Sequence, residues 1–151
     1  MKKTLTLLAA VATLGSTAAY AQDFEAQLKA RQGQFRIMAI NLGILGGMAR
    51  GAVEYDAEAA QAAADSLVGV SMVNQAPLWP EGSDSMSIDG TRAMPAMWEN
   101  LPDVLEKWGA FGAAAAEMQT AAATGVEAIG PALGKMGGTC KACHDTYRTP
   151  E

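Results

Sequence analysis

Apolar residues recur at three- and four-residue steps along most of the chain, and this spacing limits the fold more than any other feature. The first such segment covers about residues 24–50, where one face carries Leu28, Phe35, Met38, Leu42, Leu45 and Met48. These steps match the period of an α-helix and not the two-residue alternation of a strand. The sequence therefore predicts an all-α protein.

The ends of three further helices can be recognised. Asp56 is in the position of an N-cap and opens a second helix that continues to about residue 72. A third helix begins near Pro102 and ends at Gly125, and the last runs over about residues 126–147. Pro131 is expected to lie in the first turn of the last helix or to kink it there.

Two other features bear on packing. Glycines at 43, 46 and 47 weaken the first helix but allow a neighbouring helix, in the same subunit or in a dimer, to come close. Residues 73–97 lack sustained periodicity, which predicts a long connection between the second and third helices. Trp79 and Trp98 favour an ordered connection, because such large side chains need a place to bury.

The first 21 residues have the pattern of a cleaved secretory signal peptide. Lys2 and Lys3 precede an apolar run, and Ala19-Tyr20-Ala21 matches the Ala-x-Ala pattern, so cleavage is expected after Ala21. The run is too short for a membrane-spanning helix, so no membrane insertion is expected. Cleavage leaves residues 22–151 as one domain, which we expect to reside in the periplasm.

The charge balance argues against one class of partner. Cleavage leaves nine basic residues against 16 acidic ones, and such a surface repels phosphate backbones. No nucleic-acid partner is expected.

The strongest motif is Cys140-Lys141-Ala142-Cys143-His144. On a helix, residues three and four positions apart share a face, so both thiols and the imidazole can reach one flat ring. This spacing is typical of c-type haem attachment, with His144 as the iron ligand. A disulfide, a redox-active CxxC and a zinc half-site are the alternatives. His144 is the single histidine, which disfavours zinc, and an all-helical pattern disfavours a thioredoxin-like role.

The motif lies close to the C-terminus. Seven residues follow His144 and none is a methionine, so any sixth iron ligand has to come from an upstream helix.

In these features the chain resembles the cytochromes c′, the class II c-type cytochromes, over essentially all of residues 22–151. The resemblance is carried by Arg31-Gln32, Glu54-Tyr55-Asp56, Pro95-Ala96-Met97-Trp98 and the segment from Cys140 to Arg148. It implies an up-down four-helix bundle with one haem c among the helices, usually a homodimer built around the first two helices. It also implies a five-coordinate, high-spin iron with an apolar distal face.

The resemblance further implies roles for individual side chains. Arg31 and Gln32 are placed against the haem edge, with Arg31 near a propionate. Arg148 is placed near the proximal imidazole and the propionates, and Arg92 is a further candidate for haem contact.

The same resemblance places Phe35 at the distal position, four residues after Arg31, where low-spin members of the class have a ligating methionine. A phenylalanine cannot bind iron, which favours a vacant sixth site. Met38, about one turn away, is the alternative ligand, although a methionine at helical spacing is more often core.

A haem with one protein ligand and an apolar distal pocket is expected to bind the diatomic gases NO and CO. Oxygen binding benefits from a polar distal group, and none is evident in the sequence. The alternative is a low-spin, methionine-ligated electron carrier whose redox partner the sequence does not identify. No distal acid or base is found, so enzymatic turnover such as peroxidase chemistry is not expected.

Overall fold

The computed structural model describes residues 24–150. The predicted signal peptide and its cleavage site lie outside the described residues. Within residues 24–150 there is no β-strand, and the prediction of an all-α protein is confirmed. The α-helices in this part of the chain are four long ones and one short one: α1 Glu25–Ala49, α2 Ala57–Ser71, α3 Ala96–Glu99, α4 Leu101–Thr124 and α5 Val126–Tyr147.

The predicted helix ends are confirmed where a capping residue marks them. The Asp56 carboxylate accepts a hydrogen bond from the backbone N–H of Ala59 at 3.0 Å, as an N-cap does. Gly125 separates α4 from α5 with a φ of 141°, a conformation that favours glycine. Because a single residue joins these helices, they pack as antiparallel neighbours.

Two expectations about α1 and α5 need correction. Pro131 lies in the second turn of α5 and not the first, and the helix continues past it to Tyr147. The glycines of α1 do not admit another helix of the same subunit. A Cβ built on Gly46 or Gly47 would meet side chains of Arg50 and Val53, which follow α1 directly, and one on Gly43 would meet nothing within 4 Å.

The four long helices form a bundle, which confirms the predicted four-helix architecture. Helix α1 packs against α2 and α5, and α4 packs against the same two helices from the other side. The core between them is rich in alanine and methionine, and its largest fully buried side chains are Leu45, Leu67, Met118, Ile129 and Met136. Small side chains allow close helix approach, and flexible methionines fill the remaining gaps.

The long connection is ordered, as its tryptophans predict. A 3₁₀ turn at Ala76–Leu78 and the short α3 interrupt it. The Trp98 indole N–H donates to the Trp79 carbonyl at 3.1 Å, and the two rings meet edge to face with centroids 6.1 Å apart. The connection therefore folds back on itself against α1.

A helix needs about 20 predominantly apolar residues to span a membrane. Across residues 24–150, no helix is both long enough and apolar enough to cross a bilayer.

Candidate haem site

Helix α5 presents the motif as the sequence predicts. Cys140, Cys143 and His144 lie in its last two turns, and all three are partly buried. Both cysteines are free thiols, and no disulfide joins them. The described residues contain no group of three or more His, Cys, Asp or Glu side chains placed to hold a metal ion.

Burial sets the protonation states of these groups. It raises the pKa of both thiols above the usual cysteine value, so they are neutral at pH 7. It also lowers the pKa of His144, and the nearby positive charges of Arg148 and Arg92 lower it further. The His144 imidazole is therefore neutral near pH 7, and a neutral ring nitrogen is the form that binds iron.

Helix α4 supports this end of α5 through Asp103, a residue that the sequence did not single out. Its carboxylate accepts a hydrogen bond from the Tyr147 hydroxyl at 2.5 Å and one from the Lys107 ammonium at 3.1 Å. These two bonds hold the Asp103 pKa below its usual value. Tyr147 is 4% exposed, so the bond fixes the end of α5 against α4.

Arg31 of α1 is buried, with 2% of its surface exposed. One of its terminal nitrogens bonds the Ser83 hydroxyl at 3.1 Å and both bond the Ser83 carbonyl at 3.2 Å. The guanidinium carbon stands 4.5 Å from the centroid of the Trp79 ring. No carboxylate in residues 24–150 pairs with it, its Nε has no hydrogen-bond partner there, and burial lowers its pKa.

Two other side chains predicted to contact haem also bind main-chain carbonyls. The Gln32 amide donates to the carbonyl of Gly90 at 2.9 Å. Arg92 donates to the carbonyl of Thr149 from Nε at 3.0 Å and from Nη2 at 2.6 Å. Arg148, by contrast, is exposed, and its positive charge acts on His144. Arg31, Gln32 and Arg92 thus tie the connection to α1 and to the C-terminal residues.

Phe35 and Met38 have different surroundings on α1. The Phe35 ring is 37% exposed and meets Trp108 of α4 edge to face, with centroids 6.5 Å apart. It lies outside the main core, whereas Met38 is 7% exposed and belongs to it. Trp108 is held in turn by a 3.0 Å hydrogen bond from its indole to the Ser71 carbonyl.

Two buried glutamine side chains also join α1 to the connection. Gln34 of α1 and Gln75 of the connection exchange side-chain hydrogen bonds at 3.0 and 3.1 Å, and Gln75 also accepts from the Trp79 indole at 3.1 Å. Gln34 and Gln75 are 41 residues apart, and no local pattern in the sequence pairs them.

The donor set fits a covalently attached haem. Two neutral thiols and one neutral imidazole share a face of α5, and Arg31 offers a buried positive charge with an unsatisfied N–H. Comparison with known families gives the same result, since the sequence profile of the family described as Cytochrome C′ matches residues 26–148. The chain belongs to the cytochrome c′ family.

Individual relatives agree with this assignment. The chain is 38% identical over 142 residues to the cytochrome c′ of Cereibacter sphaeroides, covering 94% of this chain and 95% of the relative. Among solved structures, cytochrome c′ from Rhodobacter Spheriodes is 37% identical with a TM-score of 0.81, covering 86% of this chain and all of the other. A cytochrome c′ described as having an unusual ligand-controlled dimer dissociation is 30% identical with a TM-score of 0.77, covering 85% and 98%.

Membership of the cytochrome c′ family also gives the cofactor. The family carries covalently bound haem c with its iron, and this chain has the two cysteines that attachment requires.

Proposed function

We propose that this cytochrome c′ is a periplasmic, high-spin haem protein with five-coordinate iron that binds NO and CO and can also transfer electrons. The observation that carries the proposal is the position of Phe35, a side chain without a ligating atom, at the edge of the bundle beside Trp108. When bound, haem supplies an iron that takes small diatomic ligands and cycles between two oxidation states.

On the proximal side, His144 is the proposed iron ligand, and Cys140 and Cys143 are the proposed attachment points. Burial keeps the imidazole neutral, so no proton has to leave before it can bind iron. The same burial keeps both thiols protonated until attachment.

On the distal side, Phe35 and Trp108 offer two aromatic rings and no acid or base. A CO or NO molecule needs no hydrogen-bond donor in such a pocket, while a bulkier ligand meets the Phe35 ring. Peroxidase-type turnover needs a distal acid or base, and neither the Phe35 ring nor the Trp108 ring supplies one.

The alternative of a methionine-ligated electron carrier depends on Met38. Its side chain is packed in the hydrophobic core with Leu45 and Met48, and only 7% of it is exposed. Reaching an iron held by α5 would open a cavity in that core, at a cost of about 2–5 kcal/mol for a side chain of this size. Core packing of Met38 thus favours the five-coordinate form.

Arg31 is the proposed partner of a haem propionate. A buried guanidinium without a carboxylate partner is costly, and an incoming carboxylate would offset that cost. Gln32 lies next to it on α1, and Arg148 follows His144 by one turn, so both are proposed to lie near the haem edge.

A homodimer is proposed through α1 and α2. Ile37, Ile40 and Ile44 lie on one face of α1 and are 47%, 64% and 38% exposed. The related structure with ligand-controlled dimer dissociation supports a second copy of the chain as the occupant of this face.

The spectrum of the reduced protein tests the proposal. A high-spin spectrum that changes sharply on CO addition is expected, and a low-spin spectrum unmoved by CO would contradict it. Phe35→Met should convert the iron to a low-spin, CO-resistant form, because it places a thioether at the distal position. Met38→Leu is the matched control and should leave both spectra as they are.

A further inference from the structure

The backbone of residues 147–149, which begin three positions after His144, forms a paired segment. The backbone N–H of Arg148 donates to the His144 carbonyl at 3.2 Å, which is the last helical bond of α5. Arg148 then turns into extended backbone, with φ −124° and ψ 129°. The turn of helix that holds the histidine is therefore continuous with this extended segment.

The partner of the extended segment is the end of the long connection. The Thr149 N–H donates to the Arg92 carbonyl and the Met94 N–H donates to the Tyr147 carbonyl, both at 2.9 Å. Ala93 and Arg148 face each other in antiparallel pairing. We name residues 92–94 and 147–149 together the C-terminal clamp.

Arg92 closes the clamp with its side chain. Nε and Nη2 both donate to the Thr149 carbonyl, at 3.0 and 2.6 Å, while its own carbonyl accepts from Thr149. The planar guanidinium can make both side-chain bonds at once, and a lysine cannot reproduce them. On the far side of the clamp, the Ser85 N–H donates to the Ala93 carbonyl at 2.8 Å and anchors the connection.

We propose that Arg92 is a positioning residue that holds His144 in place through the C-terminal clamp. The inference rests on the proposed function to the extent that His144 is the iron ligand. It gives Arg92 a task distinct from direct haem contact, because two of its side-chain bonds go to the main-chain carbonyl of Thr149, 57 residues away.

Two pairs of variants separate positioning from charge. Arg92→Ala removes both the side-chain bonds and a positive charge near His144, whereas Arg92→Lys keeps the charge. Thr149→Pro removes the N–H that bonds the Arg92 carbonyl and leaves every charge in place. Thr149→Ala keeps that N–H and is its matched control, and Arg36→Ala on the exposed side of α1 controls for loss of an arginine.

Two measurements on the haem-loaded protein test the clamp. Amide exchange at Arg148 should be faster by about tenfold or more in Arg92→Ala, the change expected from loss of hydrogen bonds to a charged donor. The iron–histidine stretching band of the reduced protein should shift or broaden in Arg92→Ala, Arg92→Lys and Thr149→Pro. It should stay unchanged in Thr149→Ala and Arg36→Ala.

Faster amide exchange at Arg148 with an unshifted iron–histidine band would contradict the positioning role and leave the clamp with a structural role alone. Unchanged exchange would show that the Arg92 side chain does not hold the clamp together. A shift in Arg92→Ala alone would assign the effect to charge and also overturn the inference. If the unmodified protein lacks this band because its iron has six ligands, the five-coordinate proposal fails. The clamp is then tested by the reduction potential, which should change in Arg92→Ala, Arg92→Lys and Thr149→Pro and stay unchanged in Thr149→Ala and Arg36→Ala.

Discussion

The Tyr147 hydroxyl donates a hydrogen bond to the Asp103 carboxylate, and this bond joins the last turn of α5 to the first turns of α4. The two residues are 44 positions apart in sequence. Tyr147 also lies three residues after His144, so the bond reaches the helical turn that carries the proposed iron ligand. It secures this turn on the α4 side, and the C-terminal clamp secures it on the side of the connection.

This bond predicts a pH dependence of stability. The hydrogen bond from Tyr147, followed by that from Lys107, lowers the Asp103 pKa, so its contribution is present above about pH 4 and lost as pH falls through the folded-state value. The bond to Asp103, followed by burial, raises the Tyr147 pKa, so its contribution is present below about pH 10 and lost as pH rises through the folded-state value.

Tyr147→Phe tests this relationship. Its Tm should be lower than that of the unmodified protein, with the largest difference between about pH 4 and pH 10. Tyr55→Phe is the control, because the Tyr55 hydroxyl donates to the neutral carbonyl of Ala122 and its loss should not depend on acid pH. A Tm difference for Tyr147→Phe that persists undiminished at pH 2 would contradict the assignment.

Replacing Phe35 by Ala should speed the association of CO with the reduced protein. The Phe35 ring is the proposed obstacle on the distal side, and lowering the barrier by ~1.4 kcal/mol would raise the association rate about tenfold. Flash photolysis measures this rate. Ile37→Ala, an exposed change on the same helix, should leave it unaltered. Equal rates in Phe35→Ala and the unmodified protein would show that the ring does not limit access.

The four long helices could be predicted from sequence because their signals are local. Asp56 and Gly125 mark two of the boundaries through capping and backbone conformation, which depend on a few neighbouring residues. Pro131 lies in the second turn of α5 and not in the first turn as expected, because five helical residues precede it and a turn holds about 3.6 residues. Pro131 removes the N–H that would bond the Glu127 carbonyl, and α5 nevertheless continues to Tyr147.

The interior of the connection could not be predicted, since long-range contacts fix it. Ser83 is held by Arg31 from 52 residues away, and Thr149 by Arg92 from 57 residues away. For the same reason, sequence reasoning selected Arg31, Gln32 and Arg92 as haem contacts without finding that each one binds a main-chain carbonyl. Attachment through the two cysteines and His144 is predicted from the sequence alone, because three residues within two helical turns define the attachment geometry by themselves.

A charge on the exposed face of α1 should disrupt the proposed dimer. Ile40 is the most exposed of the three isoleucines there, and burying a glutamate in an apolar contact is unfavourable. Ile40→Glu should weaken dimerisation by about tenfold or more, a loss of ~1.4 kcal/mol. Analytical ultracentrifugation gives the dissociation constant. Leu105→Glu on α4 is the matched control, and an equal effect of both variants would place the interface elsewhere.

Replacing Arg31 by Met should lower the reduction potential of the haem. A buried positive charge near the propionates favours the reduced iron, and its removal should lower the potential by tens of millivolts, on the order of 1 kcal/mol. The variant also loses the bonds to Ser83, so its Tm should fall as well. Arg36→Met removes an exposed arginine from the same helix, and it should change neither the Tm nor the potential appreciably. A lower Tm with an unchanged potential would mean that Arg31 serves only to hold Ser83 and the connection, and that the propionates are bound by other side chains.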